Sequence, residues 1–203
     1  VSGPHVLLTV AGRKASATAV GAARMDDAGD IHAENRLFFR LDRTRGNAIL
    51  FRDRIAALAG SNRMAAAVDV HPVDDYERMD LYLTDDGRAG FAIEDGDELV
   101  SVFSYRGEHA GDAIVAKAVE MGARRLDCYD INGKLPDLYG AHGFRPVARV
   151  QWDDGYAPAG WNTRLMGRPD VVAMAVTDTP PRQVPYTDYD TALMLAKDAC
   201  ARK

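Results

Sequence analysis

Residues 138–144 read LYGAHGF, and LDCYDIN stands just before them at 126–132. The phenol of Tyr139 can give up a proton. Asp130, at the end of an apolar run, can take one. A tyrosine so placed can equally fill a core with its hydroxyl hydrogen-bonded, so residue type alone leaves both readings open. Upstream, 106–111 read RGEHAG between a strand-like run and a helix-like one. Backbone N–H groups converge at such a loop and the helix dipole favours negative charge, so the loop can hold an anion such as a phosphate. Gly-Lys-Ser/Thr and a three-glycine spacing are both missing, which excludes a Walker A loop and a dinucleotide fingerprint. His5, His32, His71, His109 and His142 have no metal-like spacing with acidic partners, and VDVHPVDDYERMD has no EF-hand register, so no metal is expected. A Gly-x-Ser-x-Gly elbow and a Cys-His pairing are also missing.

These residues need elements to position them. VLLTVAG and RLFFRLDRT read as strands, with the polar connector RMDDAGDIHAEN between them. NAILFRDRIAALAG has helical spacing, Asn47 as a candidate cap and Gly60 as a stop. From Met64 onward, Asp-Gly turns in DDGRAG and EDGD punctuate apolar runs, so AGFAIE and ELVSVFSY should be antiparallel neighbours. DAIVAKAVEMGA predicts a helix with Ile114, Val115, Ala118 and Val119 on its apolar face and Lys117 and Glu120 off it. RRLDCYD, GKLPDLYGAHG, FRPVARVQWDD and DVVAMAV then read as strand, helix, strand, strand. The loop GYAPAGWNTRLMGRP and Trp152 could line a substrate wall or cover a sheet edge. TDYDTALMLAKDACARK reads as a terminal amphipathic helix capped by Thr187 or Asp188. The element order predicts an α/β fold with mixed strand directions rather than a regular doubly wound sheet.

Length and charge narrow the classes. A chain of 203 residues with 47% apolar residues suits one domain with a sizeable core. A net charge of −5 argues against a dedicated nucleic-acid or anionic-membrane binder. Two cysteines make neither a disulfide framework nor a zinc site, and Cys128 reads as a buried thiol. VSGPHVLLTVAGRKA lacks a basic n-region and a long h-region, and no stretch approaches 18 apolar residues. The expectation is a cytoplasmic protein.

Taken together, strand, R-x-x-x-x-G loop, amphipathic helix, strand, Asn, Leu-Tyr helix and Gly-Phe strand resemble the GNAT superfamily of acyl-CoA N-acyltransferases over about residues 80–176. DCYD, VQWDDGYAPAGW and GRPDVV also look like GNAT-like proteins of bacteria and their phages. The resemblance implies a mixed, splayed β-sheet flanked by helices, with acetyl-CoA as co-substrate. In that family a Gln/Arg-x-x-Gly-x-Gly/Ala loop holds the diphosphate by backbone amides. Arg106, Gly107, Glu108, His109, Ala110, Gly111 and Asp112 stand in those places, with His109 where the pattern has its middle glycine. By the same resemblance, Ser101, Val102, Phe103 and Ser104 would serve pantetheine and the oxyanion through their main chain. Asn132 and Tyr139 would serve the thiol end, with Tyr139 protonating the departing thiolate. Asp130, Glu94, Glu98 or a water would be the amine's base.

The expected organisation is an N-terminal extension or first elements over 1–63, a GNAT-like core over 64–180 and a C-terminal helix over 181–203. The expected function is direct transfer of acetyl from acetyl-CoA to a primary amine of a small molecule or protein. His109 and the long terminal regions suit a rival, a catalytically weak GNAT-shaped interaction protein, and a homodimer. The arginines of RLFFRLDRTRGNAILFRDR suit a third, a phage-type acyltransferase acting on nucleic acid.

Overall fold

The computed structural model describes residues 3–23 and 36–201, which fall into two compact units, Val1–Ala123 and Arg124–Lys203. The polar connector at 24–35 lies outside the described residues. Both units are built from antiparallel strands flanked by helices, the α/β architecture read from the element order.

The first unit is a meander. Strands β1 (His5–Val10), β2 (Arg13–Ala22), β3 (Leu37–Leu41), β4 (Asp80–Thr84), β5 (Ala89–Glu94) and β6 (Glu98–Ser104) each pair antiparallel with the next. Because β3 pairs with β4, strands from 1–63 and from 64–180 share one sheet. Three residues turn the chain between the paired Glu94 and Glu98, with Asp95 at φ +51° and Gly96 at φ +83° left-handed and the Asp97 N–H on the Glu94 carbonyl at 3.2 Å.

Strand β2 escapes sequence inspection because its inward positions are Ala15, Ala17 and Ala19. Period-2 alternation is present, but alanine has neither the bulk nor the β-propensity that marks a strand. Those small side chains let helix α1 (Arg45–Ala56) approach the sheet, where Leu50, Phe51 and Ile55 join Phe39, Leu83 and Phe103 in one core. Thr44, not Asn47, caps α1: its Oγ1 accepts from the Asn47 N–H at 3.2 Å. Asn47 is buried instead, its amide donating to the carbonyls of Ser16 at 3.0 Å and Asp42 at 2.9 Å. The short helix α2 (Val73–Tyr76) adds the fully buried Tyr76, edge-on to Phe51.

Helix α3 (Gly111–Glu120) packs on β5 and β6. Lys117, read from spacing as off the apolar face, is fully buried. Its Nζ donates to the Val20 carbonyl at 3.0 Å and pairs with Glu120 at 2.8 Å. Val20 lies within the β2–β3 register shift between Ala19 and Gly21, so an ammonium serves a carbonyl where the strand ladder is interrupted.

In the second unit, β7 (Arg125–Tyr129) and β8 (Phe144–Val150) flank β9 (Val171–Val176), both antiparallel to it. Helix α4 (Lys134–Ala141) packs on β7 and β8. The connection from β8 to β9 holds a helical turn, α5 (Thr163–Met166), that its aromatic and proline content concealed. Helix α6 (Tyr189–Ala201) lies against all three strands, with Ala192 and Ala196 buried over Val147, Ala148, Ala173 and Ala175. Asp188 caps it, accepting from the Thr191 N–H at 2.9 Å. Just before α6, Arg149 of β8 bonds through its N–H to the Pro185 carbonyl and through its carbonyl to the Thr187 N–H, each at 2.8 Å.

Candidate functional site

Strand β6 carries a bulge at the residues assigned to the thioester. Across it, Gly90 pairs with Phe103 and Ala92 with Val100, so Ser101 and Val102 together oppose Phe91. Ser101 takes a left-handed conformation, φ +52°, which re-aims the main chain in mid-strand. Its Oγ shares a hydrogen bond of 2.8 Å with the Tyr76 hydroxyl, which also accepts from the His71 N–H at 3.2 Å. Of the other three, Val102 is half-buried, Phe103 fills the core against Phe51, and the Ser104 carbonyl accepts from Asn62 at 3.1 Å.

The loop after β6 opens with Tyr105, whose ring lies under the guanidinium of Arg54 at 4.5 Å and near that of Arg88 at 5.5 Å. The Tyr105 hydroxyl donates to the Arg54 carbonyl at 2.6 Å. Residues 105–108 form a turn closed by the Glu108 N–H on the Tyr105 carbonyl at 3.2 Å, with Gly107 at φ +86°. The Arg106 N–H is held by Ser61 Oγ at 3.0 Å.

Glu108 is the hub of this loop. Arg36 Nη1 donates to its Oε2 at 2.6 Å, Arg88 Nε donates to its Oε1, and Arg36 Nη2 donates to its main-chain carbonyl. Burial pushes the Glu108 carboxyl up, but the hydrogen bonds from Arg88 and Arg36 outweigh it and hold the group below the ordinary glutamate range. His109 follows at φ +49°, exposed, and then α3 begins at Gly111. Its N-cap, Ala110, offers no side-chain acceptor, as Pro72 and Gly133 offer none to α2 and α4, whereas α1, α5 and α6 are capped by Thr44, Asn162 and Asp188. Sequence reasoning found the loop but missed Arg36, Arg54, Arg88 and Tyr76. Arg54 and Tyr76 come from α1 and α2, Arg36 and Arg88 directly precede β3 and β5, and nothing in their local spacing marks them.

In the second unit the spacing of LYGAHGF has a local cause. Tyr139 on α4 packs edge-on against Phe144, the first residue of β8, at 6.0 Å, and Gly143 makes the turn between them at φ +94°. Tyr139 is buried, and no hydrogen bond among the described residues ends on its hydroxyl. Burial pushes that hydroxyl above the ordinary tyrosine range, with Cys128 and Asp127 adding to the shift.

Asp130 uses both carboxylate oxygens: Oδ1 accepts from the Gly133 N–H at 3.0 Å and Oδ2 from Arg149 Nη1 at 2.8 Å. The first bond closes the Asp130–Gly133 turn, in which the exposed Asn132 is left-handed at φ +53°. Arg149 also approaches Asp170 at 3.8 Å. Both oxygens of Asp130 are thus already engaged within the second unit. Glu94 and Glu98 face each other at the β5–β6 turn, and the length of β6, about 20 Å, separates that turn from the loop after β6.

The aromatic loop packs on itself. Trp161 lies 4.7 Å from Tyr129 and 4.9 Å from Trp152 between ring centroids. The indole N–H groups of Trp152 and Trp161 donate to Asp154 at 2.7 Å and to the Gly167 carbonyl at 2.9 Å.

The arginine-rich stretch 36–54 is largely neutralised by acids: Arg36 by Glu108, Arg43 by Asp80, Arg45 by Asp74 and Glu77, Arg52 by Asp53. Among the described residues no helix is long and apolar enough to cross a membrane.

The sequence matches no family model and no curated protein. Solved structures similar to the chain are GNAT-family acetyltransferases. One from Streptococcus pneumoniae is 18% identical with a TM-score of 0.39, over 61% of this chain and 93% of that one. Another, from Elizabethkingia anophelis with acetyl-CoA bound, is 15% identical with a TM-score of 0.36, over 50% of this chain and 77% of that one. A Salmonella typhimurium structure with its cofactor acetyl-CoA is 13% identical with a TM-score of 0.42, over 73% of this chain and 98% of that one. Likeness at this level says nothing about substrate, so the residues themselves must carry the chemistry.

Proposed function

We propose that this chain is an acyl-CoA-dependent N-acyltransferase that moves an acetyl group from acetyl-CoA to a primary amine. The observation that carries the proposal is the start of α3. A helix without a capping side chain follows a loop whose Glu108 carboxylate and carbonyl are both tied back by arginine. The dipole of α3 favours an anion at this end of the helix, and a diphosphate suits it. The left-handed bulge at Ser101 supports the proposal from the thioester's side, since it redirects main-chain groups that could pair with pantetheine or meet an oxyanion.

The thioester supplies an electrophilic acyl carbon. A neutral amine attacks it, the C–N bond forms, the amine gives a proton to a base, and the C–S bond breaks. We assign Tyr139 the last step, passing its proton to the departing thiolate. Its raised proton affinity keeps it protonated at neutral pH but makes it a weaker acid than free phenol. Transfer from a phenol to a thiolate is uphill in water, and a desolvated thiolate, its proton affinity raised by the same cause, keeps that gap from widening. With Asp130 engaged by Arg149 and Gly133, the base is better assigned to water.

A calorimetric titration with acetyl-CoA tests the proposal, run on wild type and Tyr139→Phe. Micromolar binding is expected in both, with transfer to a panel of amines reduced about 100-fold in the variant. Absence of acetyl-CoA binding by wild type would sink the proposal. Undiminished transfer by Tyr139→Phe would remove that residue from it.

A further inference from the structure

We infer that Arg36 is a positioning residue for the diphosphate, acting through Glu108, and that the Arg36–Glu108–Arg88 trio sets the loop's affinity for CoA. The inference rests on the proposed function and adds a device to it that lies outside the loop's own sequence.

The described residues contain no cis peptide, so the carbonyl of Glu108 and the N–H of His109 point in opposite directions across one planar unit. Arg36 Nη2 draws that carbonyl toward itself, which turns the His109 N–H away from Arg36. The same guanidinium holds the Glu108 carboxylate through Nη1 at 2.6 Å. One planar fork thus grips a side chain and its own main chain, and this removes rotation about both. Arg88 holds the other carboxylate oxygen, and its own guanidinium lies near the Tyr105 ring, at the loop's first residue.

The loop needs such a grip. Gly107 and His109 both have positive φ, a conformation that glycine tolerates and histidine adopts at a cost. Without an external hold, residues 107–109 would sample other backbone states, and an anion would have to order them on binding. Two of the trio are well covered, the side chains of Glu108 and Arg36 being 13% and 22% exposed, so solvent screens the grip little.

Two substitutions separate gripping from mere charge. Arg36→Lys keeps the positive charge but cannot hold carboxylate and carbonyl with one rigid fork. Arg36→Gln loses both charge and fork. Calorimetric titration with CoA is expected to show affinity about tenfold weaker in both. Amide hydrogen exchange at residues 107–112 should be faster in both before CoA is added, with circular dichroism unchanged. Arg88→Gln, which cuts the trio from its more exposed side, should give a smaller loss in the same direction.

Wild-type affinity in Arg36→Lys alongside a loss in Arg36→Gln would show charge steering and overturn the inference. So would wild-type affinity in all three variants, while leaving the proposed function standing. If wild type itself binds no CoA, the proposed function and the inference fall together.

Discussion

Ser101 offers a quantitative check on how the bulge in β6 is held. Two terms of opposite sign meet there. The residue is left-handed at φ +52°, which costs a residue with a Cβ about 1 kcal/mol relative to glycine. Its Oγ meets the fully buried Tyr76 hydroxyl at 2.8 Å, and losing that partner costs about 1–2 kcal/mol because a buried polar group is left short. Ser101→Ala keeps the strain and loses the bond, so stability should fall by about 1.5 kcal/mol. Ser101→Gly loses the bond but relieves the strain, so the two changes nearly cancel.

Thermal unfolding followed by circular dichroism separates them. At about 2–4 °C per kcal/mol for a chain of this size, Ser101→Ala should melt about 3–6 °C below wild type and Ser101→Gly within about 2 °C of it. Tyr76→Phe should resemble Ser101→Ala, and the double variant should cost less than the sum, since both remove one bond. Equal destabilisation by alanine and glycine would refute the reasoning, because it would mean that the left-handed backbone contributes nothing.

Further outcomes are expected. Gly90→Ala would place a Cβ onto the Tyr82 carbonyl and within 2.7 Å of a Leu83 methyl, so denaturant titration should show a loss of about 1–3 kcal/mol. His109→Gly relieves a left-handed backbone at an exposed site, so its melting temperature should rise by about 2–4 °C while CoA titration shows affinity equal to or tighter than wild type. Burial raises the proton affinity of Cys128, Tyr139 and Tyr82, the last to about 12. Their stabilising contribution is intact below the ordinary thiol and phenol values and is lost as pH climbs above them. Melting temperature should therefore begin to fall near pH 8.5, more steeply beyond about 10, and Cys128→Ala should remove the earlier onset.

Much of the fold was legible because its strongest signals are local. The Asp95-Gly96 turn, the apolar β5 and β6 and the Gly122 stop after α3 are each fixed by a few neighbouring residues. Strand β2 was illegible because alanine faces inward, its role being to admit α1 rather than to supply bulk. Lys117 misled for a related reason: periodicity sorts residues by hydropathy, and a buried ammonium with a carbonyl and a carboxylate to meet breaks that sorting. The candidate site was half legible. The order Arg106 to Asp112 marks a loop before a helix, but the residues that hold the loop, Arg36 and Arg88, come from distant positions just ahead of β3 and β5. Asp130 looked like a base from its place after a strand, and only the structure shows Arg149 and Gly133 already using its oxygens.

The pairing of residues 185–187 with β8 has a consequence for solubility. A bare outer strand presents a row of unused donors and acceptors to any other extended chain, which is the usual start of edge-to-edge aggregation. Here Pro185 and Thr187 take both main-chain groups of Arg149, and the Tyr186 hydroxyl anchors the segment to Asp170 at 2.7 Å. The stretch before α6 thus works as a gatekeeper for the second unit. Cutting the chain ahead of it would leave both main-chain groups of Arg149 open to another extended chain.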